Sequence, residues 1–170
     1  MIDKECQDTE YYTPERVLEP VRAYFGGQID IDPASLAHNP TRAAIFWTKE
    51  NSGLEKDWQI PCAARIFVNP PYGRELRAWL DKIRVETARG AHVIALLPGQ
   101  RFEQAYFQSC IFTPALTSIC FVLRRIRFLG PDGMPRGSNP YGSMLYLFNG
   151  NHDRFKQHLS MLGYCIRNST

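Results

Sequence analysis

The sequence predicts an α/β fold built on a doubly wound, mostly parallel sheet with an antiparallel edge strand pair. Three observations carry that expectation. Over residues 13–112, short apolar runs alternate with segments whose apolar residues recur at helical spacing. One run, His92-Val93-Ile94-Ala95-Leu96-Leu97, is almost wholly apolar, as a strand covered on both faces must be. From Ser118 onward the pattern changes to strand-like stretches separated by Pro and Gly turns, which suits antiparallel neighbours.

The elements follow in order. After a polar start, Thr13-Pro14-Glu15 reads as a helix start, with a hydroxyl cap and proline at the first helical position. Val17, Leu18, Val21, Tyr24 and Phe25 share one face, and Gly26-Gly27 ends the helix. Pro20 lacks an N–H and restricts Glu19, so it predicts a kink or a later start. Residues 28–32 form a short strand with Ile29 and Ile31 on one face, Asp30 and Asp32 on the other, and Pro33 as its turn.

Arg65-Ile66-Phe67-Val68 is a second apolar strand, followed by a loop over residues 69–73. Leu76, Leu80 and Ile83 then stripe a helix that Gly90 stops. The apolar strand at residues 92–97 closes at Pro98-Gly99, and residues 102–112 form a helix. Strands are predicted at residues 118–122, 126–129 and 143–148, a turn-rich connection at 131–140 and a helix at 153–162. The 170 residues, without repeats or linkers, suit one domain spanning residues 1–170.

Lys and Arg number 20 against 17 Asp and Glu, a net charge of +3. Attraction to a polyanion would therefore come from local clusters. Arg124-Arg125-Ile126-Arg127 is one, and Arg74, Arg77, Arg101 and Arg136 would extend a phosphate-binding rim. The five cysteines stand far apart without zinc or redox spacing, and His38, His92, His152 and His158 show no metal pattern, so no metal centre is expected. No signal peptide or membrane-length apolar run is visible, which predicts a cytoplasmic protein without a membrane partner.

The segment that carries chemistry is Asn69-Pro70-Pro71-Tyr72, where an apolar strand meets a helix. Ligands of open α/β sheets sit at such strand ends. Two prolines stiffen the loop before substrate arrives. An exocyclic base amine is a poor nucleophile because its lone pair is delocalised into the ring. The Asn69 side-chain oxygen and the Pro70 carbonyl can accept one N–H each, drawing that lone pair out of conjugation. Tyr72 can stack on the same base.

Asn69-Pro70-Pro71-Tyr72 resembles the catalytic loop of amino-group methyltransferases, and its neighbours resemble the phage-type Dam family of DNA N6-adenine methyltransferases. The similar pieces are Tyr12-Thr13-Pro14, Asp30-Ile31-Asp32-Pro33-Ala34-Ser35, Gly53-Leu54 through Asp57-Trp58, Trp79, Leu96-Leu97-Pro98 and Arg125-Ile126-Arg127-Phe128. The resemblance implies a Rossmann-like methyltransferase sheet and S-adenosyl-L-methionine as methyl donor. It implies Asn69, Pro70, Pro71 and Tyr72 as the catalytic set. Asp32 with Asp30, near Pro33 and Ala34, would bind the cofactor, with Asp57 nearest its adenine or ribose and Tyr12 and Thr13 on its methionine side; Asn69 would touch it as well. The sequence departs from the usual pattern in having Asp32-Pro33-Ala34-Ser35 where many methyltransferases carry a Gly-x-Gly turn.

The implied substrate is a flipped adenine in double- or single-stranded DNA, modified in the host cytoplasm if the gene is phage-borne, in a restriction-modification or related setting. Cytosine N4, an RNA guanine or a protein glutamine are the chemically close alternatives. An inactive nucleic-acid-binding module is the alternative of another class. No segment is large enough for a separate recognition domain, which predicts short or relaxed sequence specificity, or pairing of a monomer into a homodimer.

Overall fold

The computed structural model describes residues 11–59, 64–130, 132–135 and 141–169. Cys6, Cys62, Arg136 and most of the predicted turn-rich connection lie outside the described residues. Helix α1 spans Glu15–Tyr24, and its N-cap position is Pro14. Thr13 does not cap it: no side-chain cap bond forms there, and the Thr13 hydroxyl meets Asn69 instead. Pro20 lies inside α1, buried with Val17, Leu18, Val21 and Tyr24. Burial of that apolar face outweighs the missing backbone donor, so the helix neither starts later nor stops at Glu19.

The strands are β1 (Ile31–Asp32), β2 (Ile45–Phe46), β3 (Arg65–Val68), β4 (His92–Pro98), β5 (Leu116–Val122), β6 (Ser143–Phe148) and β7 (Gly163–Arg167). They form one sheet in the order β2-β1-β3-β4-β6-β5-β7. Pairing is parallel from β2 through β1 and β3 to β4, and antiparallel from β4 through β6 and β5 to β7. The antiparallel part is thus a three-strand extension rather than an edge pair.

Helices α2 (Leu76–Ala88) and α3 (Ala105–Ile111) cover one face of the sheet with Ile66, Val68, Val93, Ala95 and Leu97. Helices α1 and α4 (His152–Leu159) cover the other with Phe67, Ile94, Leu96, Leu145 and Leu147. Successive β4 residues thus enter opposite cores, which is why its sequence shows no polar alternation.

Three local expectations change. Ile29 and Ile31 belong to opposite cores, because the chain bends at Asp30 and β1 begins only at Ile31. Residues 126–129 are not a strand. Ile126 and Phe128 anchor an irregular segment to the α1 face, Arg124 before them has φ +62°, and Leu129 makes an isolated antiparallel bridge with Tyr12. Finally, α4 ends at Leu159 and the chain turns into β7, an edge strand with Tyr164 exposed. Among the described residues no helix is long and apolar enough to cross a membrane.

Candidate active site

At the carboxyl ends of β1 and β3 the chain departs in opposite directions. From β1 it goes to β2, and from β3 it goes through α2 to β4 on the other side. Such a reversal opens the crevice in which open α/β sheets hold ligands. Asp32-Pro33-Ala34 follows one of these strands and Asn69-Pro70-Pro71-Tyr72 the other, and the two strands pair directly at Ile31 and Ile66.

Asp32 is 3% exposed. Its Oδ2 accepts the Thr41 hydroxyl at 2.7 Å and its Oδ1 the Ala34 N–H at 3.1 Å, so the carboxylate shapes the loop after β1. No cation pairs with it among the described residues, and burial pushes its carboxyl up to about 6 in spite of the opposing pull of Thr41, Ser35 and the Ala34 N–H. A buried carboxylate without a counter-charge costs stability, and such groups gather at functional sites.

Asp30 has a different task. Arg65 grips it with Nη2 at 2.6 Å and Nε at 2.8 Å, and those hydrogen bonds hold its carboxyl below the usual range. Its carboxylate faces β3 rather than the crevice.

Asn69 is half-buried at the start of the loop. Its Nδ2 donates to Thr13 Oγ1 at 3.1 Å, and Thr13 is 6% exposed. With the amide nitrogen so engaged, Oδ1 is the acceptor left for a ligand. Neither Pro70 nor Pro71 has an N–H, so the β3 ladder stops at Val68 and the loop carbonyls are not drawn into the sheet. Pro70 is buried and Pro71 exposed. Tyr72 donates its hydroxyl to the Leu96 carbonyl at 3.3 Å and packs on the α2 and α3 core; burial raises its phenol. Tyr12 is buried, edge-on to the His38 ring with centroids 4.2 Å apart.

Asp57 is not brought to this crevice. It is exposed and pairs with Arg89 at 3.1 Å, beyond the last residue of α2. At 1.5 Å per residue that end lies about 20 Å along the helix from its start beside the Asn69 loop. What does reach the crevice from this segment is Gly53. A Cβ there would overlap the Pro33 carbonyl oxygen, so only glycine allows the approach. The fully buried Trp58 fixes it by donating Nε1–H to the Gly53 carbonyl at 2.9 Å.

One contributor was not foreseen. Thr41 holds Asp32, and only its place nine residues on could have hinted at that. Glu50 follows β2, whose register puts Phe46 beside Asp32; its Oε2 accepts the Thr48 hydroxyl at 2.6 Å. Glu50 is an acidic residue about 20 positions after the first strand, the spacing at which α/β dinucleotide folds carry a ribose-binding carboxylate.

Beside the loop, Arg74, Arg77 and Arg101 line a cleft with Gly73 and Tyr106 at the start of α2. The Arg77 guanidinium sits 5.7 Å over the Tyr106 ring. Gln100 Oε1 and Arg101 Nε, in the connection from β4 to α3, are buried without a hydrogen-bond partner. Arg125 and Arg127 are exposed on the irregular segment after β5.

Asn-Pro-Pro-Tyr at a strand end of an α/β sheet, beside the loop of the buried Asp32, is the arrangement that the resemblance to amino-group methyltransferases implies. A family model described as DNA N-6-adenine-methyltransferase (Dam) matches residues 2–168, nearly the whole chain. The chain belongs to that family. Among curated proteins no match to it is found.

Proposed function

We propose that the protein transfers the methyl group of S-adenosyl-L-methionine to the exocyclic N6 of an adenine flipped out of DNA. The observation that carries this reading is the Asn69 carboxamide at the carboxyl end of β3, tied by its nitrogen to Thr13 with its oxygen left as an acceptor. We read the sheet as the doubly wound Rossmann-like sheet of methyltransferases and residues 1–170 as one such domain.

The cofactor fits the crevice on charge. Asp32 is a buried carboxylate with no cation paired to it among the described residues, and S-adenosyl-L-methionine carries a sulfonium and an ammonium against one carboxylate, a net positive charge. Tyr12, Thr13, Asp32, Pro33 and Ala34 would surround it, with Asn69 at the reacting end. We assign the ribose hydroxyls to Glu50, on its spacing after β1, rather than to Asp57, which pairs with Arg89. When bound, the cofactor supplies an electrophilic methyl group.

The chain's own residues prepare the other reactant. Asn69 Oδ1 and the Pro70 carbonyl accept the two amine N–H groups, so the nitrogen lone pair leaves conjugation with the ring. The prolines hold both acceptors in place beforehand. Tyr72, anchored through Leu96, offers a ring against which the extruded base stacks. The DNA strand would follow the Arg74, Arg77 and Arg101 cleft. Recognition by this domain's own residues is short or relaxed, or two copies share it. Such an enzyme works in the cytoplasm of the cell whose DNA it marks. Transfer of labelled methyl to DNA, followed by digestion to nucleosides, tests the reading.

A further inference from the structure

We infer that Cys120 and Cys165 form a redox-active dithiol, which a hydroperoxide converts into a disulfide that clamps the edge strand β7 to β5. The pair lies in the antiparallel part of the sheet, at the opposite edge from β1 and β2, and is independent of the methyl-transfer chemistry.

The two cysteines are distant in sequence, and the topology makes them neighbours. In the antiparallel register of β5 and β7, Cys120 stands directly opposite Cys165. Opposed residues in such a ladder alternate between pairs that exchange backbone hydrogen bonds and pairs that do not. At one end Leu123 N donates to the Leu162 carbonyl at 2.8 Å, and at the other Asn168 N donates to the Thr117 carbonyl at 2.9 Å. Counting inward by twos from either bonded pair reaches Phe121 with Tyr164 and Ile119 with Ile166, and leaves Cys120 with Cys165 as a non-bonded pair. Such pairs hold their Cα atoms about 4.5 Å apart with the side chains close, inside the roughly 4.4–6.8 Å that a disulfide spans.

Both side chains face the α1 and α4 core. Cys120 is fully buried, whereas Cys165 lies on the edge strand between the exposed Tyr164 and Ile166 and keeps 8% of its surface open. Cys165 is therefore the sulfur that a small oxidant reaches. A hydrogen bond from Cys120, with a smaller pull from Lys156, holds the Cys165 thiol below its ordinary range in spite of burial. The same bond and burial push the Cys120 thiol up. Cys165 thus supplies the reactive thiolate and Cys120 the second thiol. Cys110 differs from both: it lies in the opposite core, and its thiol donates to Asp81 at 3.5 Å.

The Cys165 thiolate attacks one oxygen of the hydroperoxide. The O–O bond breaks, the departing oxygen takes a proton and leaves as an alcohol or water, and Cys165 becomes a sulfenic acid. The Cys120 sulfur then attacks the Cys165 sulfur, the S–O bond breaks, and the hydroxide leaves as water with the Cys120 proton. The two thiols lose two electrons and the O–O bond gains them. A disulfide at the short end of the allowed span is strained and easily reduced, so a thiol reductant reverses the clamp.

The test treats folded wild type with hydrogen peroxide, alkylates the remaining thiols and maps the peptides without reduction. The Cys120 and Cys165 peptides should appear linked, with two of the five thiols lost and both regained in dithiothreitol. In Cys120→Ala, dimedone should trap a sulfenic acid on Cys165. Backbone amides of β7 should exchange about threefold or more slowly in the oxidised protein than in the reduced one.

Peroxide-treated wild type without the Cys120 to Cys165 link overturns the inference, whether its thiols stay free, pair with other cysteines, or go on to sulfinic acid. Equal amide exchange in the two forms overturns the clamp. Should Cys120→Ala not fold, the wild-type peptide map decides alone: the link supports the inference and its absence overturns it.

Discussion

Asp30 and Arg65 are locked together where the chain enters β1 and β3. Besides the two guanidinium bonds, the Arg65 backbone N–H donates to Asp30 Oδ2 at 2.9 Å, and Arg65 Nη1 donates to the Phe25 carbonyl at 2.8 Å. One residue pair thus joins the end of α1 to two strands beneath the crevice. Asp30→Asn should cost about 2 kcal/mol of stability, while cofactor affinity stays within threefold under native conditions. Because the folded carboxyl is depressed, its contribution is complete above the unfolded value near 4 and is lost as pH falls through the folded one. Urea unfolding of both proteins between pH 2.5 and 7 checks this. Normal stability with lost cofactor binding would return Asp30 to the crevice.

Asp32 should show the opposite sign. Its folded carboxyl is raised to about 6, so the native state binds the proton more tightly and becomes less stable as pH rises from about 4 to about 6. Relative to wild type, Asp32→Asn should gain on the order of 3 kcal/mol across that window and no more above it. Cofactor affinity of wild type should rise over the same range as the carboxylate ionises, and Asp32→Asn should bind weakly at every pH. Affinity independent of pH between 5 and 7 would remove Asp32 as the counter-charge.

Glu50 and Asp57 separate two views of the ribose site. Glu50→Gln should weaken the cofactor about tenfold, as expected when a charge-assisted hydrogen bond is lost. Asp57→Asn breaks only an exposed ion pair with Arg89 and should leave affinity within twofold. Calorimetry on both variants decides, and the reverse ranking would favour Asp57.

The Arg74, Arg77 and Arg101 cleft should govern the salt dependence of DNA binding. Each Arg→Gln change there should reduce the slope of log affinity against log salt by about 1, with cofactor affinity unaltered. An undiminished slope in the triple variant would place the phosphate path elsewhere, with Arg125 and Arg127 the next residues to change.

How much of this was legible in the sequence differs from residue to residue. The β4 run and the Asn-Pro-Pro-Tyr loop were readable because burial on both faces and paired prolines leave strong local signatures. Strands β1 and β2 are two residues each, too short for any alternation to register, and β2 escaped notice altogether. The apolar pattern at Ile126 and Phe128 resembled a strand because side-chain anchoring follows burial, whatever the backbone does. At the candidate site, Asn69, Tyr72 and Asp32 were read from residue type and place, and Gly53 entered only as a piece of the family resemblance. Which carboxylate faces the crevice did not, because Asp30 and Asp57 are claimed by arginines distant in sequence, Arg65 and Arg89. The Thr13 contact with Asn69 joins residues 56 positions apart and leaves no local trace.

The central claim is adenine N6 methylation built on Asn69, and it meets its most direct test in nucleoside analysis of DNA treated with the protein and isotopically labelled S-adenosyl-L-methionine. Wild type should place the label in N6-methyladenine. Asn69→Ala, still binding the cofactor by calorimetry, should place none. Label in N4-methylcytosine, in RNA or in protein alone, or undiminished N6-methyladenine from Asn69→Ala, would contradict the account.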